Sequence, residues 1–224
     1  MKRHPARRIV RSALDLLYPP RCPLCGERSR SAHSACAGCE PRLNRLASDA
    51  LIDLPWRVWV GRARSCFAHE DPVRRALWSL KYEGEIFALP FFARELERAL
   101  GEIGAHDAVT CVPMQGLRVV GRGANAPALL ARALARGCGM RFDPGLVVRV
   151  RSVERQVGQG RQERIENVRG AFAANAGRAK KIEGRSLLVV DDVMTTGATI
   201  NECARALMKA GAGRVDAITV ARAL

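Results

Sequence analysis

The chain has 224 residues, 48% hydrophobic and only 5% aromatic, enough for one packed domain of ordinary size plus a small appendage. Its net charge is +15, from 37 basic against 22 acidic residues. That balance suits polyanionic partners such as nucleic acid or phosphorylated substrates, or else a generally basic surface, and it says nothing of fold. No run reaches the roughly 18 apolar residues of a membrane span, so no membrane association is expected. Arg11 and Asp15 interrupt the basic amino-terminal stretch where a signal peptide needs its apolar core. A cytoplasmic location is the expectation, with a short helix carrying Ile9, Leu14 and Leu17 packed on the body.

The first motif in chain order is a pair of C-x2-C knuckles, Cys22-Pro-Leu-Cys25 and Cys36-Ala-Gly-Cys39, between Pro19-Pro20 and Pro41. Without a secretion signal, that spacing fits a tetrahedral zinc site better than disulfides, with a redox dithiol pair as the alternative. Gly26 and Gly38 stand where a knuckle needs close backbone approach. Cys66, Cys111, Cys138 and Cys203 sit in apolar surroundings instead. The pattern divides the chain into a zinc-bearing module at 1–50 and a main domain at 51–224.

In the main domain, helix and strand signals alternate. Arg62 to Ala68 reads as an edge strand, and Asp71-Pro72 starts a helix with Val73, Ala76, Leu77 and Leu80 on one face. A second helix is predicted from Glu85 to Leu100, despite Pro90. Asp107 to Val112 is a strand, Pro127 to Arg136 a helix, Leu146 to Val150 a strand, and Gly170 to Ala174 another. The strand at Leu187, a helix reaching Ala210 and a strand from Val215 to Val220 complete the series. The alternation predicts an α/β fold with a largely parallel, doubly wound sheet.

The segment Leu187 to Thr199, LLVVDDVMTTGAT, carries the most chemistry. A buried-strand signal ends in Asp191-Asp192, and the hydroxyl-rich turn from Met194 to Thr199 leads into a helical pattern at Ile200, Cys203, Ala204 and Leu207. Such a junction gathers open backbone N–H groups, the positive end of a helix dipole and three hydroxyls, a concavity sized for phosphate. Two carboxylates beside it make sense if the ligand also carries hydroxyls, or if a divalent cation bridges ligand and protein. Thr199 and Glu202 also have the spacing of a capping box.

Other constellations are less specific. The turn Val112-Pro113-Met114-Gln115-Gly116 ends a strand that should lie on the same sheet edge as Asp191, with Arg118 and Arg122 nearby. The polar loop between Arg149 and Gly170 offers Arg155, Arg161 and Arg164 to a diphosphate, interspersed with Glu154, Glu163 and Glu166; it reads as a lid or as a solvated, self-paired loop. Gly121-Arg-Gly123-Ala-Asn-Ala126, with Asp143 twenty residues past Gly123, matches a dinucleotide fingerprint but lacks a clean preceding strand. Cys66-x2-His69 reads as a core cysteine and a surface histidine.

The strand, the acidic pair and Thr-Thr-Gly-x-Thr closely resemble the phosphoribosyl-diphosphate (PRPP) signature of the type I phosphoribosyltransferases. The order of parts along the chain is similar to the ComF family of competence-associated proteins, which joins a zinc ribbon to such a domain. The resemblance runs from Pro19 to Cys39, then through Leu80-Lys81-Tyr82-x-Gly84, Val112-Pro113, Arg122-Gly123-x-Asn125, Gln156, Arg161, Arg164, Asn167 and Gly170-Ala-Phe172 to the final block. It implies that Asp191, Asp192, Thr195, Thr196, Gly197, Ala198 and Thr199 hold PRPP, with Mg²⁺. It also implies that Pro113, Met114 and Gln115 form the pyrophosphate loop and that Arg161 and Arg164 serve catalysis. Cys22, Cys25, Cys36 and Cys39 would hold structural zinc. Departures are Ala124 and Ala126 where the family usually has an aromatic and a glutamine, Gln115 where histidine is common, and one four-cysteine cluster where longer members carry two.

Three functions follow from the resemblance. One is Mg²⁺-dependent phosphoribosyl transfer to a nitrogen base, with a role in DNA uptake. Another is a non-catalytic adaptor binding single-stranded DNA or a competence helicase. The third is nucleobase salvage or sugar-acid metabolism. With three tryptophans, two tyrosines and six phenylalanines, the composition gives little support to a base-stacking platform, and neither the acceptor base nor the oligomeric state is written in the sequence.

Overall fold

The computed structural model describes residues 20–29, 31–47, 57–114, 125–151 and 166–223. Its centre is a five-stranded sheet built from β1 (Ala63–Ala68), β2 (Ala108–Cys111), β3 (Arg141–Phe142), β6 (Ser186–Met194) and β7 (Arg214–Arg222). The order is β1-β7-β6-β2-β3 and every pairing is parallel. Leu187, Leu188, Val189 and Val190 in the middle strand have no exposed surface, the burial on both faces that a parallel sheet requires. Leu188 and Val190 join a core with Leu96 and Leu130, whereas Leu187 and Val189 pack with Ile200, Cys203 and Leu207.

Among the described residues, the helices α1 (Val73–Trp78), α2 (Leu89–Ile103), α3 (Ala126–Gly137) and α4 (Ala198–Lys209) cover the faces. A π-helical turn, Ser79–Glu83, prolongs α1. Helix α2 starts four residues later than its periodicity suggests. Pro90 occupies its first turn, where a missing N–H is harmless, so the helix cannot reach back to Glu85. Asn125 caps α3 by accepting the Ala128 N–H at 3.2 Å, and Ala126 behind it is fully buried. Among the described residues, no helix is long and apolar enough to cross a membrane.

Two predicted strands leave the main sheet. β4 (Val147–Arg149) and β5 (Phe172–Ala174) pair with each other, antiparallel, as a separate ribbon. Each is only three residues long, and Phe172 and Leu146 anchor the ribbon on the α4 side of the core. Asp143 is no nucleotide ligand: 5% exposed, it pairs with Arg178 and with Lys181 at 3.1 Å, both from the 3-10 helix Ala176–Lys181. The rest of the fingerprint, Gly121 to Ala124, lies outside the described residues, as does the amino-terminal helix expected at Ile9 to Leu17.

At the amino edge of the sheet a buried carboxylate fastens three segments. Asp216 accepts the Arg62 N–H at 2.8 Å, His106 Nε2 at 2.9 Å and Arg214 Nε at 2.9 Å. Burial alone would raise this carboxyl, but the His106 hydrogen bond, the Arg62 N–H and the Arg214 charge outweigh it and hold it below its usual value. A depressed folded value means stability present above the unfolded value and lost as pH falls through the folded one. Asp216→Ala should therefore cost roughly 3–5 kcal/mol in urea unfolding near neutral pH. The variant should also show a shallower loss of stability than wild type on acidification below the usual carboxylate range.

Candidate functional site

Strand β6 carries the acidic pair to the carboxyl edge of the sheet. The strand continues through both aspartates to Met194, which pairs with Arg222 of β7, so the turn is shorter than its sequence suggests: Thr195, Thr196 and Gly197 only. Gly197 has φ of +81° and opens α4 directly; a side chain there would strain the backbone. The first-turn N–H groups of α4 have no intrahelical acceptor, and Thr196 Oγ1 takes the Ala198 N–H at 3.3 Å. Thr195 is exposed, Thr196 and Thr199 half-buried, and Ala198 buried. The Thr196 hydroxyl thus lies at the start of α4.

No capping box forms. Gly197 is the cap residue and makes no side-chain cap. Glu202, with 1% exposure, instead accepts the Gly170 N–H at 2.6 Å and pairs with Arg205 at 2.9 Å. It ties the β4–β5 ribbon to α4.

The two carboxylates differ in surroundings. Adjacent strand residues leave on opposite faces. Asp191 Oδ1 accepts the Asp192 N–H at 2.9 Å, while burial and the neighbouring Asp192 charge push its carboxyl well above the usual range. Asp192 accepts the Val193 N–H at 2.8 Å on Oδ1 and Lys81 Nζ at 2.5 Å on Oδ2. Lys81, which the sequence offered only within a family block and with no role, thus reaches the acidic pair from 111 residues away. Leu80 beside it has no exposed surface, and Gly84 ends the π-helical turn in the left-handed region at φ 72°. The block Leu80-Lys81-Tyr82-x-Gly84 is therefore an anchor, a cation, an exposed ring and a stop.

The end of β2 lies beside β6, since the Val112 N–H donates to Val190 O at 3.0 Å. Pro113 and Met114, both half-buried, follow it next to Asp191. His69 joins the same edge, its N–H on Arg222 O at 2.7 Å. It is half-buried rather than fully on the surface; burial and the Arg74 charge lower its imidazole, against a pull upward from Asp192. Gln115, Arg161 and Arg164 lie outside the described residues. A cavity of about 690 Å³ lined by Asp107, Lys180, Glu183, Gly184 and Arg185 opens at the opposite, amino edge.

The four knuckle cysteines converge, with all Sγ atoms within 4.8 Å of one another. Cys25 and Cys36 Sγ are 3.7 Å apart, against about 3.8 Å for two vertices of a tetrahedron with Zn–S bonds of about 2.3 Å. The donors fit zinc. Backbone hydrogen bonding, chiefly from Cys39, draws the Cys36 thiol down to about 7 despite partial burial, and burial pushes Cys39 up. Gly26 does adopt positive φ, at 76°, whereas Gly38 does not, and a side chain added there would meet Cys36 Sγ at 4.0 Å, an ordinary contact. The site is a structural zinc centre, closed by four protein ligands.

Comparison with known proteins adds what geometry alone does not. A phosphoribosyl transferase domain model matches residues 83–224, and a double zinc ribbon domain model matches residues 13–50. The chain belongs to the phosphoribosyl transferase domain family. Within it, the pairing with a zinc ribbon and the relatives below make it a ComF family member. Competence protein ComFC of Bacillus subtilis is 27% identical over 215 residues, covering 95% of this chain and 82% of that one. DNA utilization protein YhgH of Salmonella typhimurium is 28% identical over 220 residues, 97% of this chain and 88% of that one. Competence protein F of Haemophilus influenzae is 26% identical, over 91% and 85% of the two chains. Among solved structures, the glutamine PRPP amidotransferase of B. subtilis complexed with ADP and GMP aligns with a TM-score of 0.40 and 22% identity, over 63% of this chain and 30% of that one.

The zinc module is not independent of the α/β core. Leu46 N–H donates to Cys66 O at 3.0 Å and Ala68 N–H to Asn44 O at 2.9 Å, so residues 44–46 run along the outer edge of β1. Cys22, Leu24 and Cys39 join the core cluster of Phe67 and Phe91. Metal analysis should find about one zinc per chain. Because zinc binding in such modules contributes roughly 10–16 kcal/mol near neutral pH, a chelator should lower the melting temperature of the whole chain. Absence of zinc with four free thiols would contradict the assignment.

Proposed function

We propose that the carboxyl edge of the sheet binds PRPP, in a chain made of a zinc-bearing module at 1–50 and a transferase-like domain at 51–224. The observation that carries this reading is the continuous run of β6 through Asp191 and Asp192 into Thr195-Thr196-Gly197 and the open start of α4. The turn suits a sugar phosphate: N–H groups, hydroxyls and helix dipole meet it without a side chain at Gly197. The carboxylates suit the ribose hydroxyls, and Pro113 and Met114 the diphosphate. Mg²⁺, bound with PRPP beside Asp191, would supply charge neutralisation to the leaving diphosphate. In transfer, the bond from ribose C1 to diphosphate breaks, a bond from C1 to a base nitrogen forms as that nitrogen gives up its proton to solvent, and diphosphate leaves with its electron pair. Catalysis is then positioning and electrostatics, with Arg161 and Arg164 proposed to add positive charge around the diphosphate. By analogy with relatives named for competence and DNA utilization, the chain is assigned a role in handling DNA.

Calorimetric titration tests the reading. Wild type should bind PRPP with Mg²⁺ more tightly than ribose 5-phosphate. Each charge-assisted hydrogen bond is worth roughly 1.5–3 kcal/mol, so Thr196→Val should weaken PRPP binding by about tenfold or more without moving the melting temperature far. Failure of wild type to bind PRPP at millimolar concentration would make the resemblance one of ancestry alone.

A second reading, contact with single-stranded DNA, is favoured by one surface. Trp78 and Tyr82 are 54% and 47% exposed with ring centroids 5.6 Å apart, beside exposed Arg74 and Arg75. Scarcity of aromatics in the composition argued against stacking, but these two stand together on the surface. Stacking is worth roughly 1–3 kcal/mol per base, so replacing both rings by alanine should weaken binding of a short oligonucleotide about tenfold or more. Fluorescence anisotropy should also show affinity falling steeply with salt. Affinity indifferent to salt would leave the +15 charge as a matter of composition.

A further inference from the structure

Two consecutive carboxylates repel each other, and burial penalises both charges. Asp192 is 5% exposed, yet both of its oxygens have partners before any ligand arrives: the Val193 N–H on Oδ1 and the Lys81 ammonium on Oδ2. The cation is held from behind. Leu80 fixes the π-helical turn in the core, while the Lys81 side chain keeps 24% of its own surface exposed at the sheet edge. An ammonium 2.5 Å from a carboxylate oxygen stands where a divalent cation would otherwise sit.

We propose that Lys81 is a positioning residue of the sugar-diphosphate site. It is the resident counter-ion of Asp192, keeps divalent cations off the acidic pair while the pocket is free, and turns to the diphosphate when ligand enters. The proposal rests on the PRPP reading given above. Entry of PRPP brings negative charge within reach of a flexible, partly exposed ammonium. Lys81 then exchanges one anionic partner for another, and Asp192 is released toward the ribose hydroxyls. The metal arrives already bound to the diphosphate rather than being stored on the protein.

The experiment compares wild type, Lys81→Met and Lys81→Arg in two titrations, with thermal melts to establish folding. In the first, manganese alone is added and free Mn²⁺ is followed by electron paramagnetic resonance. Losing a charge-assisted contact at this distance should free Asp192 for metal, so Lys81→Met should bind Mn²⁺ about tenfold or more tighter than wild type. A further Asp192→Asn change should abolish that gain. In the second, PRPP without metal should bind Lys81→Met about tenfold or more weakly, with Mg²⁺ recovering much of the loss and Lys81→Arg restoring most of it. Equal Mn²⁺ uptake by folded wild type and Lys81→Met would overturn the proposal. If Lys81→Met does not fold, Lys81→Gln retains a hydrogen bond without the charge and decides the same comparison. The manganese titration needs no PRPP, so failure of wild type to bind PRPP would defeat the ligand reading while leaving the role of Lys81 separately decided.

Discussion

A strand buried on both faces presents carboxylates to a ligand only where it emerges, and the arrangement of this molecule depends on that constraint. Leu187 to Val190 have no exposed surface, clamped between β2 and β7 in parallel register. The backbone hydrogen bonds of those neighbours fix where the strand ends, and so where Asp191 and Asp192 stand relative to the Val112-Pro113 turn and to the start of α4. Positive potential from the helix terminus and negative charge from the carboxylates are thereby set a turn apart. A ligand with phosphate at one end and hydroxyls beside it satisfies both. A simple inorganic anion satisfies only one.

Much of this was legible in the residues. The Val/Leu run, the acidic pair and the Gly197 turn are local features, and local features are what periodicity and turn chemistry report. Strand β6, helix α4 and the cysteine knuckles follow directly. What stayed hidden depends on distant partners. Nothing near Lys81 in sequence announces that its ammonium meets a carboxylate 111 residues away. Glu202 has capping-box spacing, but the closer competitor for the helix start is Gly197, and burial hands the carboxylate to the Gly170 N–H instead. The β4 and β5 runs carry strand propensity without saying which sheet they join, because three-residue strands are placed by tertiary packing. The late start of α2 was readable from Pro90 alone, and periodicity overrode it.

The zinc module illustrates a second use of the same logic. Edge strands expose unpaired backbone groups and need cover. Here residues 44–46 supply it for β1, while Arg45 bridges Glu40 and Glu95, each at 2.9 Å, and lies over the Phe67 ring. The segment that covers β1 thus follows closely on the last knuckle, whose Cys39 is itself packed in the core. The knuckles belong to the stability of the fold as much as to a separate appendage, and Asn201 extends the theme by holding the Trp59 N–H at 2.6 Å and so fastening the connecting segment to α4.

The central claim concerns the phosphate cradle, and phosphorus NMR of PRPP during addition of protein reads it atom by atom. The account predicts that the 5′-phosphate resonance shifts or broadens together with those of the diphosphate, and that the 5′-phosphate response is reduced in Thr196→Val while the diphosphate response persists. A spectrum in which no phosphorus resonance responds to millimolar protein, or in which the 5′-phosphate alone stays unmoved in the wild type, would contradict it.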